Sequence, residues 1–254
     1  MQVTGIGWAG VLSDDFEATL RFFSDVLGLS LVYQDETKEL VHFRFPSGQL
    51  LEVYGPSNRH RKEKYQFFKG PVLGFEVDNV QLARQEMIAR GARFITELES
   101  WEDDMWTLFL GPQDRLFEIL RAARSPASRS GSVSGICYSR FFVQDFRAAM
   151  QFFSQVMEMF PVQQDDERKR AHYWLPTGQV FEVFGSSAEQ GDQIPPLTIG
   201  FQVDNMAQAQ HEMQSRGLEF IDSSEVMEDG SARSQFRAPD GFIYELICNP
   251  KHPL

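Results

Sequence analysis

The sequence predicts an α+β protein made of four β-α-β-β-β modules. Three observations carry that reading. The chain repeats itself at a shift of 130 residues. Within each half, a strand, a helix and three further strands recur twice. Apolar residues alternate in the short runs and fall three and four apart in the longer ones, the spacings of strands and helices.

The repeat is direct. His42-Phe-Arg-Phe-Pro-Ser-Gly-Gln-Leu-Leu-Glu-Val-Tyr-Gly-Pro-Ser57 aligns with His172-Tyr-Trp-Leu-Pro-Thr-Gly-Gln-Val-Phe-Glu-Val-Phe-Gly-Ser-Ser187, with 8 of 16 positions identical. Phe22-Phe23-Ser24 recurs as Phe152-Phe153-Ser154, and Gly74-Phe-Glu-Val-Asp-Asn79 as Gly200-Phe-Gln-Val-Asp-Asn205. The shift drifts by a few residues along the chain, as loops of unequal length produce. Ser125 to Gly135 is rich in Ser, Gly and Pro and holds no apolar pattern, so it reads as a linker. The domains are therefore 1–124 and 133–254, joined by 125–132.

Residues 6–12 and 72–77 read as strands, each followed by an Asp and a helical pattern. The first helix, Asp15 to Leu27, lines up Phe16, Leu20, Phe23 and Leu27 on one stripe. Asp14 or Asp15 is its N-cap and Gly28 its C′ residue. The second helix, Val80 to Arg90, stops at Gly91. The strands after the first helix are Leu29–Tyr33, Leu40–Phe45 and Leu50–Tyr54, with a two-residue turn at Ser47-Gly48. Those after the second are Arg93–Leu98, Trp106–Leu110 and Leu116–Leu120. Gly5-Ile-Gly-Trp-Ala-Gly10 spells a dinucleotide-binding pattern, but no strand leads into it and the helix starts too late to meet a pyrophosphate.

Composition limits what the chain can do. A formal charge of −12 and a pI near 4.9 argue against nucleic acid and against an anionic membrane surface. Two cysteines, Cys137 and Cys248, are too few for a disulfide framework or a thiolate zinc site. The N-terminus lacks the basic start and apolar run of a signal peptide, and no stretch reaches the ~18 apolar residues of a membrane span. The expectation is a cytoplasmic protein, monomer or homodimer, with a small-molecule ligand.

The module resembles that of the vicinal oxygen chelate superfamily, which includes glyoxalase I, extradiol dioxygenases, fosfomycin resistance enzymes and bleomycin-binding proteins. The segments that carry the resemblance are Phe22-Phe-Ser-Asp-Val-Leu-Gly-Leu29, Pro46-Ser-Gly-Gln-Leu-Leu-Glu52 and Ala238-Pro-Asp-Gly-Phe-Ile-Tyr-Glu245. It implies paired modules whose mixed, largely antiparallel sheets curl into two cups, with helices outside and ligand inside. Whether modules pair within a half or across halves stays open. The family's metal is held by one side chain on the first strand and one on the last strand of each paired module. On the first strands, where the family usually has His, this chain has Trp8, Val72, Tyr138 and Thr198. On the last strands, Glu52, Glu118, Glu182 and Glu245 fill the usual Glu position. Carboxylates alone suit a hydrated Mg²⁺ and make a poor site for Zn²⁺, Ni²⁺ or Fe²⁺.

Two readings follow. In one, the cup binds a small organic molecule without the family's His-containing metal site and without a cofactor. Trp8, Tyr54, Tyr138, Arg140, Phe184, Thr198 and Gln202 then line the ligand. In the other, Glu52, Glu118, Glu182 and Glu245 act as acid-base catalysts, or as ligands of a divalent ion, in a lyase, isomerase or dioxygenase-like enzyme. Arg140 is expected to pair with Glu182 or Glu245, or to take a ligand carboxylate. His42 and His172, the histidines shared by both halves, are expected on the helix side of their strands. A one-residue change of turn would move them into the cup.

Overall fold

A computed structural model describes residues 3–58, 72–101, 104–121, 131–185, 197–222, 224–226, 230–238 and 243–249. Most of the expected linker lies outside these. The first module runs β1 (Val3–Leu12), α1 (Phe16–Arg21), β2 (Ser30–Asp35), β3 (Leu40–Arg44) and β4 (Leu50–Tyr54). The second runs β5 (Val72–Val77), α2 (Val80–Ala89), β6 (Arg93–Phe94), β7 (Glu99–Trp101), β8 (Asp104–Leu110) and β9 (Leu116–Arg121). The third has β10 (Val133–Val143), α3 (Phe146–Gln155), β11 (Gln163–Asp165), β12 (Arg170–Trp174) and β13 (Val180–Gly185). The fourth has β14 (Leu197–Val203), α4 (Met206–Ser215), β15 (Glu225–Val226), β16 (Ala232–Arg237) and β17 (Ile243–Cys248).

Each helix starts where a short polar side chain accepts an orphan backbone N–H. Asp15, Asn79, Asp145 and Asn205 accept from Ala18, Leu82, Ala148 and Gln208, caps that contribute about 1 kcal/mol each. The first helix departs from expectation by loosening after Arg21 into a π turn over Phe22–Val26. The strand expected over Arg93–Leu98 is broken into β6 and β7, both paired with β8. Between them the Thr96 hydroxyl, not a carbonyl, accepts the Leu108 N–H at 2.9 Å, which interrupts the ladder.

The chain divides into two compact units. The C-terminal unit gathers Met1–Ala9 with Ser139–Leu254, and the N-terminal unit gathers Gly10–Glu63 with Val72–Tyr138. They follow the two halves of the sequence except that the opening strands, β1 and β10, contribute residues to both. In the C-terminal unit the strand orders are β15-β16-β17-β14-β1 and β11-β12-β13-β10. In the N-terminal unit they are β1-β4-β3-β2 and β10-β5-β9-β8-β6. The strand beside β14 is thus β1, and the strand beside β5 is β10. First strands neighbour each other across the duplication, which settles a point the sequence leaves open.

Each unit buries an aromatic layer between its helices and sheets. In the C-terminal unit Phe153 of α3 packs on Phe181 at 5.0 Å, on Tyr173 at 5.9 Å and on Tyr244 at 6.0 Å. In the N-terminal unit Phe23 packs on Phe43 at 5.8 Å and Phe117 at 5.9 Å. These contacts fix the side of each strand that meets a helix. Because strand side chains alternate, Glu52, Glu118, Glu182 and Glu245 stand on the opposite side.

The β3–β4 turn has three residues, not the two expected. Phe45 N donates to Gln49 O at 3.0 Å and Gly48 N to Phe45 O at 2.9 Å. Gly48 takes φ +90° and Gly178, at the matching β12–β13 turn, φ +86°. A type I turn closed by a left-handed glycine gives this loop length. The extra residue shifts the register by one. His42 therefore lies opposite Glu52, and His172 opposite Glu182. The expectation that both imidazoles face the helices is overturned: each shares a face with its glutamate.

The glutamine after each of these turns acts as a substitute strand. The Gln49 side-chain amide donates to Ile136 O at 2.8 Å and accepts from Ile136 N at 2.7 Å. Gln179 does the same with Ile6, at 3.0 and 2.7 Å. Each side chain thus satisfies both backbone groups of a buried residue on an opening strand. Gly5 and Gly135, one residue earlier on those strands, lie so close to the amides that a Cβ at either would collide with the side-chain oxygen. The glycine-rich opening is a strand shaped for close approach, not a nucleotide loop.

Candidate functional site

In the C-terminal unit, the side of the β12-β13-β10 sheet away from α3 carries a polar cluster. Arg170, His172 and Trp174 alternate along β12, Val180, Glu182 and Phe184 along β13, and Arg140 and Phe142 along β10. Glu182, 2% exposed, is the hub. Its Oε2 accepts from Arg140 Nε at 3.3 Å, and its Oε1 from Arg170 Nη2 at 2.6 Å. His172 Nδ1 stands 3.1 Å from the same Oε1. Both guanidiniums lie over the Phe184 ring at 5.2 Å, and Phe142 packs on that ring at 5.8 Å. Two guanidiniums thus converge on one carboxylate. The expected Arg140–Glu182 pair is present, within a larger network than the sequence suggested.

The other predicted residues of this unit are buried. Trp8 is fully enclosed, with the Arg233 guanidinium 5.7 Å from its ring. Its Cβ would lie 3.3 Å from a Cβ placed on Gly200 of the neighbouring strand. Thr198 donates its hydroxyl to Ile243 O at 3.0 Å. Gln202 is buried on β14, where its backbone carbonyl accepts from the Thr4 hydroxyl at 3.2 Å. Glu245, also buried, stands in register with Gly200 and Gln235.

On the matching face of the N-terminal unit Leu40, His42 and Arg44 alternate along β3, and the Arg44 guanidinium is turned to the hairpin, donating to Gly48 O at 3.2 Å. The Tyr54 hydroxyl donates to Glu52 Oε2, and His42 Nε2 stands 3.5 Å from Oε1. The His42 ring in turn lies against Tyr33, 4.8 Å between centroids. Glu52 and Tyr54 are buried. The counterparts of Arg170 and Arg140 are Leu40 and Gly10. Glu118, 6% exposed, is flanked in register by Gly74 and Leu108, and Tyr138 is buried with its Cβ against Gly74.

The side chains present do not fit the family's metal. Trp8, Val72, Tyr138 and Thr198 supply no imidazole at the first-strand positions. Glu182 faces two guanidiniums that would repel a cation, and Glu52 is engaged by a phenol and an imidazole. Among the described residues no group of three or more His, Cys, Asp or Glu side chains is placed to hold a metal ion.

Sequence reasoning missed Arg170, His172 and Trp174 as one row, because the turn was taken one residue too short. The signal was there: these residues alternate, and His172 matches His42. It also missed Arg115, 1% exposed, whose Nη2 donates to Leu12 O at 2.8 Å. Burial pulls that guanidinium down to about 9. A cavity of about 870 Å³ lies elsewhere in the C-terminal unit, by the start of α3, among residues such as Asp145, Arg147, Met150, Asp166 and Lys169. It contains none of the predicted site residues.

Four β-α-β-β-β modules in tandem, with a glutamate on every last strand, define a glyoxalase-like architecture. The model of the Glyoxalase/Bleomycin resistance protein/Dioxygenase superfamily matches residues 5–119 and 135–246, and the chain belongs to that superfamily. A putative dioxygenase from Bacillus subtilis subsp. subtilis str. 168 has the same fold, with TM-score 0.75 and 13% identity over 98% of this chain and 86% of that one. Glyoxalase I from Zea mays aligns with TM-score 0.69 and 13% identity over 97% and 92%. Identities this low speak for the fold alone. No curated protein matches the chain. Among the described residues, no helix is long and apolar enough to cross a membrane.

Proposed function

We propose that this protein binds a small organic molecule on the glutamate-bearing side of its sheets, without the imidazole-bearing metal centre common in its superfamily. One observation carries the reading. The carboxylates at the ligand-bearing strand positions are engaged by neighbouring side chains: Glu182 by Arg140, Arg170 and His172, and Glu52 by Tyr54 and His42. Trp8 fills a first-strand position with a ring that has no lone pair for a metal. Aromatic surface with a few fixed polar groups suits small-molecule recognition. The acidic charge of −12 favours such a ligand over nucleic acid or a membrane, and we place the protein in the cytoplasm as a monomer or homodimer.

The test is metal content together with ligand binding. Purified protein should hold well under one equivalent of any transition metal. Ligands found by quenching of tryptophan emission should bind equally with and without EDTA. A stoichiometric transition metal whose removal abolishes binding would overturn the proposal. Catalysis is the second reading, supported by the Tyr54 hydroxyl that donates to Glu52 and the His42 imidazole 3.5 Å from the same carboxylate. It requires a turnover that Glu52→Gln abolishes while the fold is retained.

A further inference from the structure

We infer that the C-terminal unit selects an organic anion bearing a planar ring, with Arg170 as the cation that anchors it. The inference rests on the small-molecule reading above and names its substrate class. Glu182 holds Arg170 through a single N–H at 2.6 Å, and Phe184 supports the guanidinium plane at 5.2 Å. Five N–H groups on that fork leave donors to offer, and the side chain is 46% exposed. A guanidinium fixed by a carboxylate on one edge and a ring on one face is already oriented, so little freedom is lost when a second carboxylate meets its outer edge. Arg140 adds a second positive charge on the same hub, at 3.3 Å.

The planar part has its own platform. Trp174 follows Arg170 on the same side of β12, 41% exposed, with its ring 6.4 Å from that of His172. Arg170 and His172 are two residues apart on a strand, about 7 Å. That span lets the far ring of a fused bicyclic acid held by Arg170 lie against the His172 imidazole, while Trp174, four residues and about 13 Å along the strand from Arg170, bounds the far end. The duplication supplies an internal contrast. At the equivalent place in the N-terminal unit Leu40 replaces Arg170 and Gly10 replaces Arg140, while the His–Glu pair is kept. The N-terminal unit does carry Arg44 at the place of Trp174, but its guanidinium donates to Gly48 O, so an arginine held on the buried glutamate is a property of one half.

The experiment compares 1-naphthoate with its neutral isostere 1-naphthamide by calorimetry on the full chain. The wild type should bind the acid about tenfold more tightly than the amide, the scale of one charge-assisted pair. Arg170→Gln should remove that preference and leave amide affinity within about twofold, while Arg170→Lys, which keeps the charge and loses the fork, should fall between. Near-ultraviolet circular dichroism reports that each variant is folded, and the lysine variant carries the test if the glutamine one is not. Equal affinity for both probes in the wild type, or a preference that survives in Arg170→Gln, overturns this inference and leaves the binding proposal standing. Failure of both probes to bind at millimolar concentration overturns this inference alone, since the binding proposal is tested by metal content and EDTA.

Discussion

Replacing Glu182 by Gln should destabilise the protein by about 2–3 kcal/mol, clearly more than the same change at Glu52. Glu182 meets Arg170 at 2.6 Å and Arg140 at 3.3 Å. At an effective dielectric of ~20 each pair is worth roughly 5–6 kcal/mol before costs. Keeping a carboxylate that is 2% exposed away from water offsets much of this. The guanidiniums also retain solvent, with side chains 30% and 46% exposed, which screens their side of the interaction. The net therefore falls below the 3–5 kcal/mol range for breaking a fully buried pair. Glutamine keeps one acceptor but turns an amide N–H toward cations. Glu52→Gln keeps an acceptor for the Tyr54 hydroxyl and removes no arginine pair, and should cost about 1 kcal/mol. The assay is urea unfolding of both variants at about pH 8, in low salt and in about 1 M salt. The Glu182 deficit should shrink markedly at high salt while the Glu52 deficit barely moves. If Glu182→Gln costs no more than Glu52→Gln, or if its cost is indifferent to salt, the charged hub is not what holds this face together.

Gln49→Ala and Gln179→Ala should each cost about 2–3 kcal/mol, because each leaves a buried N–H and a buried carbonyl, of Ile136 or Ile6, without that amide. Gln→Glu at either position should be no better than Ala, since a carboxylate cannot donate to the carbonyl. Hydrogen exchange at the Ile136 and Ile6 amides should accelerate selectively in the matching variant, and unchanged protection would contradict the clamp. Trp8→Ala should destabilise by about 3–5 kcal/mol, as expected for emptying a fully buried site, and Trp8→Phe by distinctly less. Chemical unfolding checks both, and a neutral Trp8→Ala would mean that this ring lines an open cavity.

The fold was legible because its evidence is local. Capping residues, the glycine after a helix and alternating apolar runs each act within a few residues, and the duplication doubled every signal. Asp15 and Asp145 cap their helices as the pattern implied. What the sequence left hidden depends on longer-range events or on single-residue counts. One extra turn residue at Gly48 moved His42 from the helix side to the side of Glu52. Thr96 split a strand because its hydroxyl, which no propensity weighs, took a ladder hydrogen bond. The neighbours of β1 and β10 could not be read at all, since matching modules are equally apolar on their pairing edges. Arg115 was invisible because its sequence context gives no sign that burial would enclose it.

The duplication also explains how the charged hub could arise without loss of fold. Both halves keep a histidine and a glutamate directly opposite one another across the hairpin. Around that shared pair, the residues two positions away have diverged: Tyr54 against Phe184, and Leu40 against Arg170. In the N-terminal unit the tyrosine satisfies the carboxylate with a neutral donor. Phe184 cannot donate, so Glu182 needs a partner from elsewhere, and the two arginines supply it while stacking on the same ring. The two solutions exclude each other at one site, because a tyrosine donor would compete with the guanidiniums for the same oxygens. A buried carboxylate inherited by both halves thus has a phenol donor in one and two guanidiniums in the other, and the second arrangement sets partly exposed arginines where the N-terminal unit has Leu40 and Gly10.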